Sequence, residues 1–194
     1  MNILSKINNI IWINLNSFVL ENNLEKIIWF MSDFPIFFLP IFLLLTWIFY
    51  TFKIENLEKK KDLLNIVYWI IIAITISLLI QQVVNINRPE SIIKPILEHI
   101  PDASFPSDHA TVSFAFLTWL FLIWYKKIWY VFSIFVIIMN FSRIAWWVHW
   151  FFDIVAWAII WIFSSIFIFK YLKNTKLIIN TNKFIIKIMS YIKL

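Results

Sequence analysis

The stretch Asp102-Ala103-Ser104-Phe105-Pro106-Ser107-Asp108-His109-Ala110-Thr111 sets a small polar cluster into a chain that is otherwise almost continuously apolar. Pro106 fixes a turn, Ser107 is a natural helix N-cap, and an apolar helical run follows from Ala110. This grammar puts Ser107, Asp108 and His109 at the N-terminus of a membrane helix. Unpaired backbone N–H groups and the positive end of the helix dipole make such a terminus a ready anion site. Two more polar islands can complete it: Arg88-Pro89 upstream, and Ser142-Arg143 with His149 and Asp153 downstream. Together they read as a phosphate pocket.

Composition supports a membrane setting. Hydrophobic residues are 62% of the 194 and mean hydropathy is +0.82, against roughly 45–50% apolar residues in soluble domains. The length suits one domain, 1–194, whose surface is mostly lipid-facing or helix–helix. Cysteine is absent, so neither a disulfide framework nor a thiolate metal site can form. A net charge of +6 would admit nucleic acid as a partner. The lysines, however, cluster between apolar runs, as in cytoplasmic membrane loops. Nucleic acid is therefore not an expected partner; membrane lipid is.

Residues 1–20 are apolar but carry Asn8, Asn9, Asn14 and Asn16, and read as an interfacial amphipathic helix rather than a firm span. No basic segment followed by a small-residue cleavage site marks a removed signal. Residues 22–32 form a second short helical piece or linker. Firm spans are expected over 34–52, 63–84, from Pro106 to Tyr125, over 128–141, and over 149–169. A sixth span stays open for the N-terminal segment. Residues 91–105 make a polar loop in which His99, lacking a partner at motif spacing, is a solvated residue. The lysine groups around 53–61, 126–127 and 170–176 all fall on one side of this arrangement, while Arg88, His109, Arg143 and His149 fall on the other. By the positive-inside rule the pocket is extracytoplasmic. Residues 177–194 place Lys183 and Lys187 at helical spacing against Phe184, Ile185 and Ile188, an amphipathic basic helix suited to the anionic inner leaflet. The expected fold class is an all-α integral membrane helical bundle.

His149 and Asp153 lie four residues apart, so on a helix they share a face and the carboxylate can bond one ring nitrogen. The other nitrogen then becomes a better base or nucleophile. The alternative is a polar pair that glues helices together; the cost of charge in a membrane favours function. Arg88 and Arg143 could be snorkelling residues, but beside two histidines at one depth they look like a fork for phosphate oxygens. A metal site from His109, His149 and Asp153 has acceptable ligand types, yet two converging arginines would repel a divalent cation, so no metal or other cofactor is expected. A Ser107–His149–Asp153 hydrolase would need a strand-to-helix elbow that an all-helical chain lacks.

Three islands in order, Arg88-Pro89, Pro106-Ser107-Asp108-His109, and Ser142-Arg143-x5-His149-x3-Asp153, resemble the signature of the type 2 phosphatidic acid phosphatase superfamily, which includes vanadium haloperoxidases. The resemblance covers residues 81–153. The Asp108 form of the second motif is similar to the bacitracin-resistance type of undecaprenyl pyrophosphate phosphatase. The resemblance implies hydrolysis of undecaprenyl pyrophosphate to undecaprenyl phosphate at the plasma membrane of a bacterial cell, within cell wall biogenesis. It implies that His149 attacks phosphorus to give a phosphohistidine and that Asp153 orients it. His109 would protonate the leaving oxygen and then activate water. Arg88, Arg143, Ser107 and backbone N–H groups, that of Asp108 among them, would hold the phosphoryl oxygens. Phosphatidate or phosphatidylglycerophosphate is the alternative substrate, and a non-catalytic relative that binds or moves lipid phosphates is the alternative class. Gln81 occupies the position of the first motif's lysine, so the phosphate-binding set has one charge fewer there. Phe151 and Phe152 stand where many relatives have proline.

Glycine is absent while tryptophan occurs 12 times; ordinary proteins carry about 7% glycine. Trp147, Trp157 and Trp161 stand where the resembled motif and its last helix usually carry glycine or small residues. Interface preference explains tryptophans at membrane surfaces but not a complete lack of glycine. The pattern suggests UGA codons written as tryptophan in a source that reads them as glycine.

Overall fold

The computed structural model describes residues 3–52, 56–84, 86–89, 103–123, 126–146, 148–191 and 193. Most of the expected polar loop, with Lys94, Glu98 and His99, lies outside the described residues, as do Lys53, Glu55, Asp102 and Trp147. The described residues form helices α1 (Ile3–Glu21), α2 (Glu25–Asp33), a 3-10 turn (Phe34–Phe37), α3 (Phe38–Phe52), α4 (Leu57–Val83), α5 (Asp108–Leu122), α6 (Lys126–Ala145), α7 (Phe151–Tyr171) and α8 (Lys176–Tyr191), with no strand among them. The all-α class stands.

Four runs are long and apolar enough to cross a membrane: Glu25–Phe52, Leu57–Val83, Lys126–Ala145 and Phe151–Tyr171. The chain is a multi-pass membrane protein. Five firm spans were expected. The difference is α5, which has 15 residues and so reaches only about 22 Å at 1.5 Å per residue, short of a hydrocarbon core of roughly 30 Å. It is instead the axis of the bundle, packed by α4, α6 and α7. Ala110, Phe116 and Leu120 on it are wholly buried. Truncating Phe116 to alanine at such a site costs about 3–5 kcal/mol.

The first span begins earlier than Phe34, because the 3-10 turn joins α2 to α3 without a break; Pro35 sits at its start, where a missing N–H costs nothing. The fourth is longer than 128–141. Ser142 looked like an exit from the helix, but its Oγ donates to Ile138 O at 2.8 Å and keeps the residue helical through Ala145. α1 is not among the four long apolar runs. Asn14 is exposed, but two of its asparagines reach inward: Asn16 Nδ2 donates to Ala145 O at 3.3 Å, and Asn8 Oδ1 accepts from Phe152 N at 3.1 Å. They satisfy backbone groups at the end of α6 and the start of α7 that have no helical partner.

The lysine-rich end and the polar islands lie at opposite ends of α5. At its C-terminal end Lys59 Nζ donates to Ile123 O at 3.2 Å, and α8 docks on α4 through Asn182 Nδ2 to Asn65 Oδ1 at 3.1 Å. Leu177, Phe184 and Ile188 of α8 are exposed, while Ile178, Ile186 and Met189 pack against the core. At the N-terminal end of α5 stand the islands.

Candidate active site

Ser107 caps α5: its Oγ accepts from Ala110 N at 3.4 Å, and its carbonyl accepts from Thr111 Oγ1 at 2.9 Å. The first-turn N–H groups of Asp108 and His109 therefore begin the helix with no helical acceptor, at the positive end of its dipole. Asp108 turns its carboxylate away from that end. Oδ1 accepts from Ser77 Oγ at 2.6 Å and from Gln81 Nε2 at 3.2 Å, both on α4. Gln81 Nε2 also donates to Pro106 O at 3.0 Å. The Gln81 amide thus bonds along the α4–α5 seam, at the position where the resemblance implied a phosphate-binding residue.

His149 lies in the short connection between α6 and α7 and is 1% exposed. Its Nδ1 is 2.7 Å from Ser104 O. A carbonyl can only accept, so Nδ1 carries the hydrogen and Nε2 keeps its lone pair. Nε2 faces Arg88 Nη1 at 3.3 Å and Arg143 Nη2 at 3.4 Å. Burial, then the guanidinium groups of Arg143 and Arg88, hold the protonation of His149 well below the usual histidine range. Arg88 is itself tied down by donating from Nη1 to Val148 O at 2.7 Å.

From Arg143 the contacts run on to His109. Arg143 Nη1 meets Asp33 Oδ1 at 2.5 Å and Ser32 Oγ at 3.3 Å, and the same Asp33 oxygen is 3.1 Å from His109 Nε2. His149, Arg88, Arg143 and His109 are therefore linked in one chain of contacts, and Ser107 lies two residues before His109 as the cap of α5.

Asp153 is placed differently from the expectation. The i, i+4 relation holds only if both residues are helical, and α7 starts at Phe151. Asp153 Oδ2 accepts from Trp150 N at 3.2 Å, reaching back as an N3 residue to cap the helix. This supplies the entry to α7 without a proline. It also accepts from Ser104 Oγ. Ser104 thus stands between the two: its carbonyl accepts a hydrogen bond from His149 Nδ1 and its hydroxyl donates to Asp153.

Sequence reading missed Ser104 and Asp33. Ser104 lay inside the stretch first singled out, but its importance comes from a carbonyl, which every residue has. Asp33 had one visible signal: it is the sole acidic residue between Glu25 and Glu55, placed inside an apolar run where an unpaired carboxylate would be costly.

No curated protein and no solved structure matches the chain. The profile of the PAP2 superfamily matches residues 62–177, from early in α4 through α7, which takes in Arg88, His109, Arg143, His149 and Asp153. With convergent histidines and arginines inside a multi-pass helical bundle, that match identifies the chain as a member of the PAP2 superfamily, a membrane phosphatase of lipid phosphates.

Proposed function

We propose that this protein hydrolyses undecaprenyl pyrophosphate to undecaprenyl phosphate and inorganic phosphate, through a phosphohistidine, on the extracytoplasmic face of a bacterial plasma membrane. The observation that carries the chemistry is the His149 ring, with Nδ1–H given to Ser104 O and the Nε2 lone pair set between two guanidinium groups. A neutral imidazole with its free nitrogen beside two cations is a nucleophile already aimed at a phosphoryl group.

In the first step Nε2 of His149 forms a bond to the terminal phosphorus while the bridging P–O bond breaks. His109 gives a proton to the departing oxygen of undecaprenyl phosphate. In the second step His109 takes a proton from water as that water attacks the phosphohistidine, the N–P bond breaks, and inorganic phosphate leaves. Arg88 and Arg143 hold the non-bridging oxygens, and the α5 N-terminus adds backbone donors. General acid–base help of this kind is worth about 10² to 10⁴ in rate. The substrate assignment rests on the Pro106-Ser107-Asp108-His109 motif, with phosphatidate and phosphatidylglycerophosphate as the competing lipids.

His149→Ala should abolish phosphate release while the protein still inserts, and wild-type turnover should survive chelators. In a panel of lipid phosphates, kcat/KM for a polyprenyl pyrophosphate should exceed that for phosphatidate, and expression in a bacitracin-sensitive host should raise resistance. Unchanged turnover in His149→Ala overturns the mechanism. A higher kcat/KM for phosphatidate keeps the mechanism and replaces the substrate.

A further inference from the structure

Asp33 is brought to the site by a segment that lies outside the matched residues 62–177. It ends α2, directly before the 3-10 turn. That junction is held by a ladder of rings: Phe30 stacks on Phe34 at 4.2 Å, Phe34 meets Phe38 edge-on at 5.2 Å, and Phe38 reaches Phe135 of α6 at 6.2 Å. These contacts tie the turn carrying Asp33 to the helix that carries Arg143. α2 itself packs along α6.

A single carboxylate oxygen, Oδ1, then serves two donors from different helices: Arg143 Nη1 of α6 at 2.5 Å and His109 Nε2 of α5 at 3.1 Å. Ser32 Oγ, buried beside it, adds a contact to the same Arg143 nitrogen at 3.3 Å. The other end of the guanidinium, Nη2, remains directed at His149. Sharing one acceptor limits the distance between His109 and Arg143, and the ionised carboxylate makes the Arg143 contact a charge-assisted one. Asp33 is also 43% exposed, so its charge is partly solvated and need not be neutralised by the site alone.

We propose that Asp33 is a positioning residue for the phosphatase reaction, holding the imidazole of His109 and the guanidinium of Arg143 in register so that proton delivery and oxygen binding act on one phosphoryl group. The inference rests on the reading of His109 as the proton donor. Asp33 touches neither phosphorus nor the leaving oxygen in this role; it acts through the two side chains it holds. A proton donor held out of register by about 1 Å loses on the order of 10² in rate, so the effect belongs in kcat and scales with how much the leaving group needs a proton.

The test uses full-length protein in lipid nanodiscs and two substrates, a phosphate monoester of an aliphatic alcohol and p-nitrophenyl phosphate. His109→Ala is measured first, by leaving-group release in a single turnover, ahead of the water step in which His109 also acts: it should slow release from the aliphatic ester far more than from the nitrophenyl ester, whose leaving group departs without a proton. Equal losses in that variant reject His109 as the donor, and with it the basis for Asp33. Given the expected result for His109→Ala, Asp33→Asn should lower the single-turnover release rate for the aliphatic ester about 30- to 100-fold and for the nitrophenyl ester less than about 5-fold, by the same out-of-register argument. Asp33→Glu should recover part of the loss. In the His109→Ala background Asp33→Asn should cost little more, since coupled groups are non-additive. Equal losses on both esters with full additivity would make Asp33 merely structural and overturn the proposal. A rise in kcat/KM in Asp33→Asn would overturn it in the other direction, marking the carboxylate as an obstacle to phosphate entry.

Discussion

Ser104 contributes two groups of different kinds to one small region, and they can be separated by substitution. The carbonyl that accepts from His149 Nδ1 belongs to the backbone and survives any side-chain change; the hydroxyl that meets Asp153 does not. Ser104→Ala should therefore keep the His149 tautomer and loosen its support, lowering kcat roughly 10-fold, within the range for small misplacements, with KM nearly unchanged in steady-state assays. Asp153→Asn, which retains an acceptor for Trp150 N, should likewise leave a residual rate. A loss in Ser104→Ala as deep as in His149→Ala would show the hydroxyl taking part in the chemistry. The spacing from His149 to Asp153 made both residues legible in the sequence. The link between them was not, because it passes through a residue 45 positions earlier in the chain, and only tertiary folding brings it there.

At the scale of elements, hydropathy made the spanning runs legible and misjudged their ends. Ser142 was read as the limit of its span and Asn16 as a mark of an interfacial helix, whereas each spends its polarity on a backbone carbonyl. α5 was legible as a helix from Pro106 and Ser107 but not as a short central one, since its neighbours decide that. The seam between α5 and α7 carries Trp157 and Trp161, both nearly fully buried. Trp157 Nε1 donates to Thr111 Oγ1, whereas Trp161 Nε1 is buried with no hydrogen-bond partner. An unsatisfied buried donor costs about 1–3 kcal/mol, an odd expense in the helix pair that flanks the site. Glycine at these positions would remove that donor and let the backbones approach. The coding sequence is expected to carry TGA at Trp157 and Trp161, and at Trp147, and native peptides should weigh as glycine there. TGG at the three positions rejects reassignment and makes the indoles native.

For the molecule as a whole, the separation of charge along α5 sets an orientation that can be measured. The lysines around 59–61, 126–127 and 170–176 should face the cytoplasm. Cysteine introduced at Ser91 should react with an impermeant thiol reagent in intact cells, and cysteine introduced at Lys60 should be protected. The reverse pattern would move the reaction to the inner face. The bond between Ser77 and Asp108 carries a further meaning. Together with the bond from Gln81 to the same oxygen, it pins the start of α5 beside residues 77–81 of α4. The pair acts as a stop: a slip of α5 by one turn along α4, about 5.4 Å, would break both bonds and carry the backbone donors that open α5 away from the arginines.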